Sequence, residues 1–344
     1  MAMAEYFALV KQIDFDYLYT VTKQWFFYGF ALLGPAAFAY DAPFGRFATP
    51  NSVLSVDGIK SWIVMELVSP LSFLITAYLH PFSPTSLSLP SFSRPPALGI
   101  KPPFVLTALY LTHYLNRALI SPLRSPSRSK SHLVVVLSAI AFNAPNGFLL
   151  AAYLTSASTA AHLSSVTLSP LSSSSSLRFW AGLVLWAAGF AGNVYHDEIL
   201  LNIRRKAIAK GKAKEQLEEN GKPAPTPRPY YAIPHGGLYA FISFPNYLCE
   251  WVEWFGFALA ASPTPDFALL PGAEALLAAV RGSQFTEMGR LLSPFVDTVS
   301  PPWVFLFVEI ITMVPRAVRG HRWYHQRFKE SYPRERRAVI PWLL

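Results

Sequence analysis

The chain has 344 residues, of which 52% are apolar, 15% aromatic and only 14% charged, with a formal net charge of +9. A soluble domain carries about 25% charged residues, so this composition excludes an ordinary soluble enzyme and points to a chain that meets lipid. Cys249 is the single cysteine, which excludes an intrachain disulfide and with it a disulfide-stapled secreted fold.

A bilayer span needs about 20 mostly apolar residues. The opening MAMAEYFALVKQIDFDYLYT has no basic region followed by a clean apolar run and small-residue cleavage site, so no cleavable leader is expected there. Seven spans are predicted, at 20–40, 61–80, 104–122, 133–155, 178–200, 238–261 and 301–318. Several carry polar groups. Glu66 is the only charge in the second, within SWIVMELVSPLSF. In the third, His113, Tyr114, Asn116 and Arg117 fall in one turn. The fourth has Asn143 and Asn146 beside Pro145 and Gly147. The fifth holds Asn193, His196, Asp197 and Arg204, and the sixth holds Asn246, Glu250 and Glu253.

The segments between spans set an orientation. Residues 81–103 and 156–177 are rich in Ser and Pro and nearly free of charge, whereas 19 of the 29 Lys and Arg lie in 124–130, 204–228 and 316–337. Basic clusters separated by apolar spans are the mark of cytosolic loops rather than of a nucleic-acid surface, and no nucleic-acid-binding module is recognisable. Seven spans with an outside N-terminus put all three clusters in the cytosol. Residues 206–229 begin like a solvated helix and end like a Pro-rich linker, giving a cytosolic inserted loop, and 319–344 form a basic cytosolic tail. The patch 267–280, with Pro271, is too short to span and reads as an interfacial or extramembrane helix. The expected fold is an all-α integral membrane protein, one membrane domain over residues 1–344.

Helical spacing organises the polar residues. Asn193 and Asp197 are four apart with Arg204 two turns beyond, and Asn246 and Glu250 are four apart with Glu253 three further on. Each set shares a face. Polar stripes in membrane helices face a bundle interior or a water-filled cavity. The plainer reading is that such residues only hold helices together, at about 0.6 kcal/mol per hydrogen bond; it suits a single Asn, or His113 or His321 alone. Three carboxylates and two stripes together favour a ligand cavity. Metal ligation is not expected: YHDEILLN offers one histidine rather than a pair at i and i+4, and paired Glu-x-x-His motifs are missing. A Rossmann glycine fingerprint and a G-x-S-x-G elbow are also missing.

The blocks GNVYHDEILLNIRR, YAIPHGGLYAFISFPNYLCEWVEWFGFALA and RAVRGHRWYHQRFKESYPRERRAVIPWLL resemble, in this order, the steroid 5-alpha-reductase family, and ELVSPLSF and THYLNRALISPLR are similar to its weaker early blocks. The resemblance implies seven helices enclosing a cofactor and substrate cavity in the endoplasmic reticulum membrane, with NADPH reducing a carbon–carbon double bond conjugated to a carbonyl in a lipid-like substrate. It implies that Glu66 and Tyr114 hold the substrate carbonyl. It implies that Asn193, Asp197, Arg204, Tyr231, Asn246, Glu250, Arg316, Tyr324 and Arg336 line the NADPH site, with Glu253 in support. A phenolic donor at the carbonyl would stabilise the enolate-like transition state, and Glu66 could hold a proton or share one with Tyr114. Arginines suit the 2′-phosphate of NADPH. Three departures stand out: Gly320 where relatives have a histidine before His321, the long 206–229 segment and the expanded connection 262–300. Family relatives act on steroids, enoyl-CoA chains or polyprenols. An isoprenylcysteine-type methyltransferase and a non-catalytic membrane scaffold are the other readings. No obligate protein partner is evident.

Overall fold

The computed structural model describes residues 13–34, 38, 52–79, 101–217, 231–282 and 285–344. The end of the first predicted span, the loop 81–100 and the Pro-rich half of 206–229 lie outside the described residues.

Ten helices of seven residues or more carry the described fold: α1 (Phe15–Leu33), α2 (Gly58–Leu79), α3 (Pro102–Tyr114), α4 (Leu133–Leu154), α5 (Ala157–Leu163), α6 (Ser174–Leu217), α7 (Pro245–Ala261), α8 (Ala273–Arg281), α9 (Phe285–Thr298) and α10 (Pro301–Phe328). Local chemistry sets several of their starts. The Asp14 carboxylate accepts from Tyr17 N at the head of α1, and Asp57 accepts from Ile59 N and Lys60 N at the head of α2. Proline opens α3, α7 and α10, where its missing N–H costs nothing.

Among the described residues, four helical stretches are long and apolar enough to cross a bilayer: Gly58–Leu79, Leu133–Leu154, Ser174–Ala209 and Pro301–Ser331. With only helices and closed barrels able to span lipid, this is a multi-pass membrane protein. Helices also occupy the other three predicted segments, as α1, α3 and α7.

Two helix pairs dominate the packing, α6 with α7 and α2 with α4. The first crosses through glycine: a Cβ on Gly182 would lie 2.5 Å from the Gly256 carbonyl oxygen, and one on Gly189 would lie 2.6 Å from that of Cys249. Small residues are what let membrane helices approach this closely. Where α2 meets α4, Gly147 abuts the Ser69 carbonyl with no room for a side chain. A short antiparallel pairing, Ser55 with His132 and Val56 with Ser131, ties the starts of these two helices together.

α6, which carries the fifth predicted span, runs unbroken to Leu217, so 206–229 begins as a helix, as its sequence suggests. The basic segment from 319 onward is folded against the rest of the chain. It continues α10 to Phe328, and then Arg337 N donates to Phe241 O while Ser243 N and Phe244 N donate to Arg337 O and Ala338 O. Tyr332, Arg336, Ala338 and Val339 are buried there.

Candidate functional site

The site assembles where α2, α3, α6 and α7 meet. On α2, Pro70 cannot donate to the Glu66 carbonyl four residues back, and its ring pushes that turn open. The Asn143 amide of α4 donates to the adjacent Met65 carbonyl at 2.7 Å. Glu66 thus sits, 9% exposed, in a weakened turn clamped from α4.

Past Tyr114, the chain widens into a π-helical stretch, Leu115–Ile120, before a last turn Ser121–Arg124. Pro122 is the cause in sequence, since a tight α-turn would drive its ring into the Ala118 carbonyl. The Ser121 N–H bonds back to Asn116 O, one residue further than in an α-helix. That frees the Arg117 carbonyl, which accepts from Trp62 Nε1 at 3.1 Å. Such π-turns recur at functional sites. Here it aims Arg117 between two helices: Nε is 3.6 Å from Glu66 Oε1 and Nη1 is 3.4 Å from Glu250 Oε2.

The two predicted stripes meet as their spacing suggests. Asn193 Nδ2 of α6 donates to Glu250 Oε2 at 3.1 Å and to the Asn246 carbonyl at 3.3 Å, and Asn246 Nδ2 donates to Asp197 Oδ1 at 3.1 Å. Glu253 faces another partner: its Oε1 is 2.7 Å from His113 Nδ1, while His113 Nε2 stands 3.9 Å from Glu250 Oε1. Glu66, Arg117, Glu250, Asn193 and His113 therefore form one connected ionic and hydrogen-bonded network. At these separations and an effective dielectric of 20, each Arg117 pair gains about 5 kcal/mol of gross attraction, largely offset by desolvation.

Tyr114 is 3% exposed and lies beside this network, its ring 4.8 Å from Tyr110 and 5.1 Å from His113. The Asn146 amide donates to its hydroxyl at 2.9 Å and to Ser69 Oγ at 3.1 Å; Ser69 Oγ and the Tyr110 hydroxyl are 2.7 Å apart. Tyr114 and Glu66 are close enough to interact electrostatically. Trp254 closes the apolar side, packed on His113 at 4.7 Å and Phe305 at 4.6 Å.

Of the remaining predicted residues, Tyr231, Tyr324 and Arg336 gather in one aromatic group near the start of α7. Tyr231 packs on Trp323 at 5.0 Å, Trp323 on Tyr324 at 5.3 Å, and Tyr324 stacks on Tyr332 at 5.3 Å. Arg336 lies over the Tyr332 ring. Phe244, just before α7, reaches Tyr324 at 6.2 Å and so joins this aromatic group to the Asn246 stripe. Arg336 is 3% exposed, yet its Nε and Nη1 are buried with no hydrogen-bond partner among the described residues. Arg128 Nη1 is buried in the same condition, its guanidinium over the Trp62 ring at 3.6 Å. Burial, with Arg204 and Arg117 nearby, holds the Arg128 pKa below its ordinary value. Arg204 is half-buried on α6, and Arg316 is exposed on α10. The ion pairs next to Arg204 use other residues: Glu198 takes Arg124 at 2.9 Å and Arg205 at 2.5 Å.

Four residues of the site were not singled out as site residues in the sequence. Arg117 and His113 stood in a recognised polar turn, but their partners are more than 130 positions away in α7. Asn146 looked like helix glue. Glu309, on α10, is 7% exposed with Oε2 buried and without a hydrogen-bond partner among the described residues, and it lies within electrostatic range of Glu250, Arg117, Glu253 and Glu66. A lone acid in the apolar run PPWVFLFVEIITM was the available signal.

The family model described as 3-oxo-5-alpha-steroid 4-dehydrogenase matches residues 129–287 and 285–344. The chain is 35% identical over 316 residues to "Uncharacterized protein C9.08c" of Schizosaccharomyces pombe, covering 90% of this chain and 94% of that protein. It is 27% identical to 3-oxo-5-alpha-steroid 4-dehydrogenase 1 of Rattus norvegicus, over 88% of this chain and 86% of the other. It is 29% identical to steroid 5-alpha-reductase DET2 of Solanum lycopersicum, over 70% and 69%.

Proposed function

The chain belongs to the 3-oxo-5-alpha-steroid 4-dehydrogenase family, and from that premise we propose that it reduces a carbon–carbon double bond conjugated to a carbonyl in a lipid-like substrate, with NADPH as reductant. The names carried by the rat and tomato relatives make a steroid enone the first candidate substrate. The observation that carries the reading is the buried network that joins Glu66, Arg117, Glu250 and Asn193, with the Tyr114 ring against His113 of the same network. Charges of this density inside apolar helices are expensive unless they serve a ligand.

The residues present fit the cofactor. Arg336 and Arg128 hold buried guanidinium nitrogens without hydrogen-bond partners among the described residues, which is the condition of a site that receives phosphate. Asn193, Asp197, Asn246 and Glu250 offer a ladder of donors and acceptors for ribose and amide groups, and Arg204, Tyr231, Arg316, Tyr324 and Arg336 complete the proposed NADPH set. When bound, NADPH supplies a hydride from C4 of its nicotinamide ring. The protein's own part is to orient and to stabilise charge. As the β carbon is reduced, negative charge grows on the substrate carbonyl oxygen, and a preorganised donor there lowers the barrier more than it tightens ground-state binding. Tyr114 donates its phenolic O–H to that oxygen. Glu66, held by Arg117, forms the other side of the carbonyl pocket. The apolar wall of Trp254, Phe305 and Phe257 excludes water from the developing enolate.

The same reading sets the protein as one seven-span membrane domain of the endoplasmic reticulum, with the basic segments and the C-terminal structure on the cytosolic side. A thermal-shift titration of the detergent-solubilised protein tests the chemistry class. NADPH is expected to raise the melting temperature. Stabilisation by S-adenosylmethionine alone would make the protein a methyltransferase, and stabilisation by neither would make the network structural.

A further inference from the structure

The polar turn AFNAPNGF of α4 has no part in the chemistry described so far. Asn146 is 1% exposed, at the point where Gly147 lets α4 lie directly on α2. Its amide nitrogen has two hydrogens, and both are used: one on Ser69 Oγ, one on the Tyr114 hydroxyl oxygen. Its partners Ser69 and Tyr114, and Tyr110 beyond Ser69, are all hydroxyls, which can donate or accept and can reverse. The amide N–H cannot reverse. In this orientation Nδ2 donates to both hydroxyls while Oδ1 is buried with no hydrogen-bond partner among the described residues, so Asn146 acts on this cluster as a donor.

We propose that Asn146 is a positioning residue for the reduction: by donating to the Tyr114 oxygen, it leaves the Tyr114 proton free to face the substrate carbonyl. This rests on the reading of Tyr114 as the carbonyl donor. Two consequences follow from elementary hydrogen bonding. A phenol oxygen that already accepts from an amide presents its own hydrogen in a defined direction instead of exchanging it among Ser69 and Tyr110. A phenol that accepts is also a stronger donor, because hydrogen bonds in a chain polarise one another. Asn146 needs no contact with substrate to act in this way. Asn143, one turn earlier, holds the Met65 carbonyl, so the same turn of α4 steadies the Glu66 side of the pocket as well.

The test is a double-mutant cycle on the full-length protein in detergent, with NADPH and a 4-en-3-one steroid, read by single-turnover rate, substrate KM and NADPH affinity. Asn146→Leu keeps the branched shape and deletes the donor; Asn146→Ala is the second variant should the leucine not be accommodated. Either is expected to lower the turnover rate about 10- to 100-fold with KM and NADPH affinity within about two-fold of wild type. On a Tyr114→Phe background, the same substitution is expected to lower the rate no further. An unchanged rate in the single variant overturns the inference. So does an equal loss in both backgrounds, which is the behaviour of a residue that only packs helices. A wild-type rate in Tyr114→Phe itself would instead overturn the reading of Tyr114, so the two failures are told apart.

Discussion

Arg117→Met removes a cation that touches carboxylates on two other helices, Glu66 at 3.6 Å and Glu250 at 3.4 Å. Methionine retains most of the stem, so packing changes little and the loss is that of charge. Glu66 is 9% exposed and Glu250 2%, so neither can recover much hydration when its counter-charge goes. Breaking a buried pair in this way costs about 3–5 kcal/mol. In a long chain each kcal/mol shifts melting by about 2 °C, so the apparent melting temperature is expected to fall by about 6–10 °C. Tryptophan fluorescence of the detergent-solubilised protein during heating reads this directly. The decisive comparison is with Arg117→Met/Glu250→Gln. Neutralising the carboxylate that lost its partner should raise the melting temperature above that of the single Arg117 variant, because coupled sites do not add. Wild-type melting in Arg117→Met, or strict additivity in the pair, would refute the reasoning that this arginine holds the carboxylates in place.

Tyr114→Phe deletes the hydroxyl and keeps the ring against Tyr110, so single-turnover reduction should fall about 10²–10³-fold with NADPH affinity unchanged; loss of NADPH binding would move Tyr114 into the cofactor site. Arg336→Leu removes a buried cation that lies over the Tyr332 ring, with Nε and Nη1 lacking hydrogen-bond partners among the described residues, so NADPH affinity should drop about ten-fold or more with only a small fall in the melting temperature of the ligand-free protein. NADH, which lacks the 2′-phosphate, should bind at least about ten-fold more weakly than NADPH to the wild type; an equal response to both cofactors would remove the phosphate from the argument. Gly256→Val places a branched side chain where even a Cβ would meet the Trp186 backbone and the Gly182 carbonyl oxygen at 2.5 Å, so the α6–α7 crossing should open and the folded yield collapse; normal yield would show that the two helices separate at little cost.

The parts of this architecture legible in the sequence were those governed by local periodicity. Asn193 and Asp197 on α6 and Asn246 and Glu250 on α7 share faces by spacing alone, and those faces do meet. The close approach at glycines 182, 189 and 256 was not legible, because what each one touches depends on the register between two helices, which one sequence does not contain. Glu66 and Tyr114 were assigned to the substrate carbonyl through a resemblance, and the partners of each, Arg117 and Asn146, needed the fold. Arg117 shows why the rest was hidden. Its position follows from a π-turn imposed by Pro122, five residues on, and its two carboxylate partners come from helices before and after it in the chain. How the basic C-terminal segment docks was hidden for a similar reason: its composition carries no record of the pairing of Arg337 and Ala338 with residues 241–244 that buries it. Glu309 escaped because a single acid in an apolar run has no periodicity to betray its face.

The most direct test of the reductase reading is to follow one labelled hydrogen. The detergent-solubilised protein is mixed with NADPH deuterated at the transferable C4 position and with a 4-en-3-one steroid in ordinary water, and the product is analysed by mass spectrometry and NMR. The expected product is the saturated ketone with one deuterium at the former β carbon and one solvent-derived hydrogen at the α carbon, formed with wild-type protein and strongly reduced with Tyr114→Phe. A saturated product without deuterium, or no reduction of any 4-en-3-one, enoyl-CoA or polyprenol offered with NADPH, would contradict it.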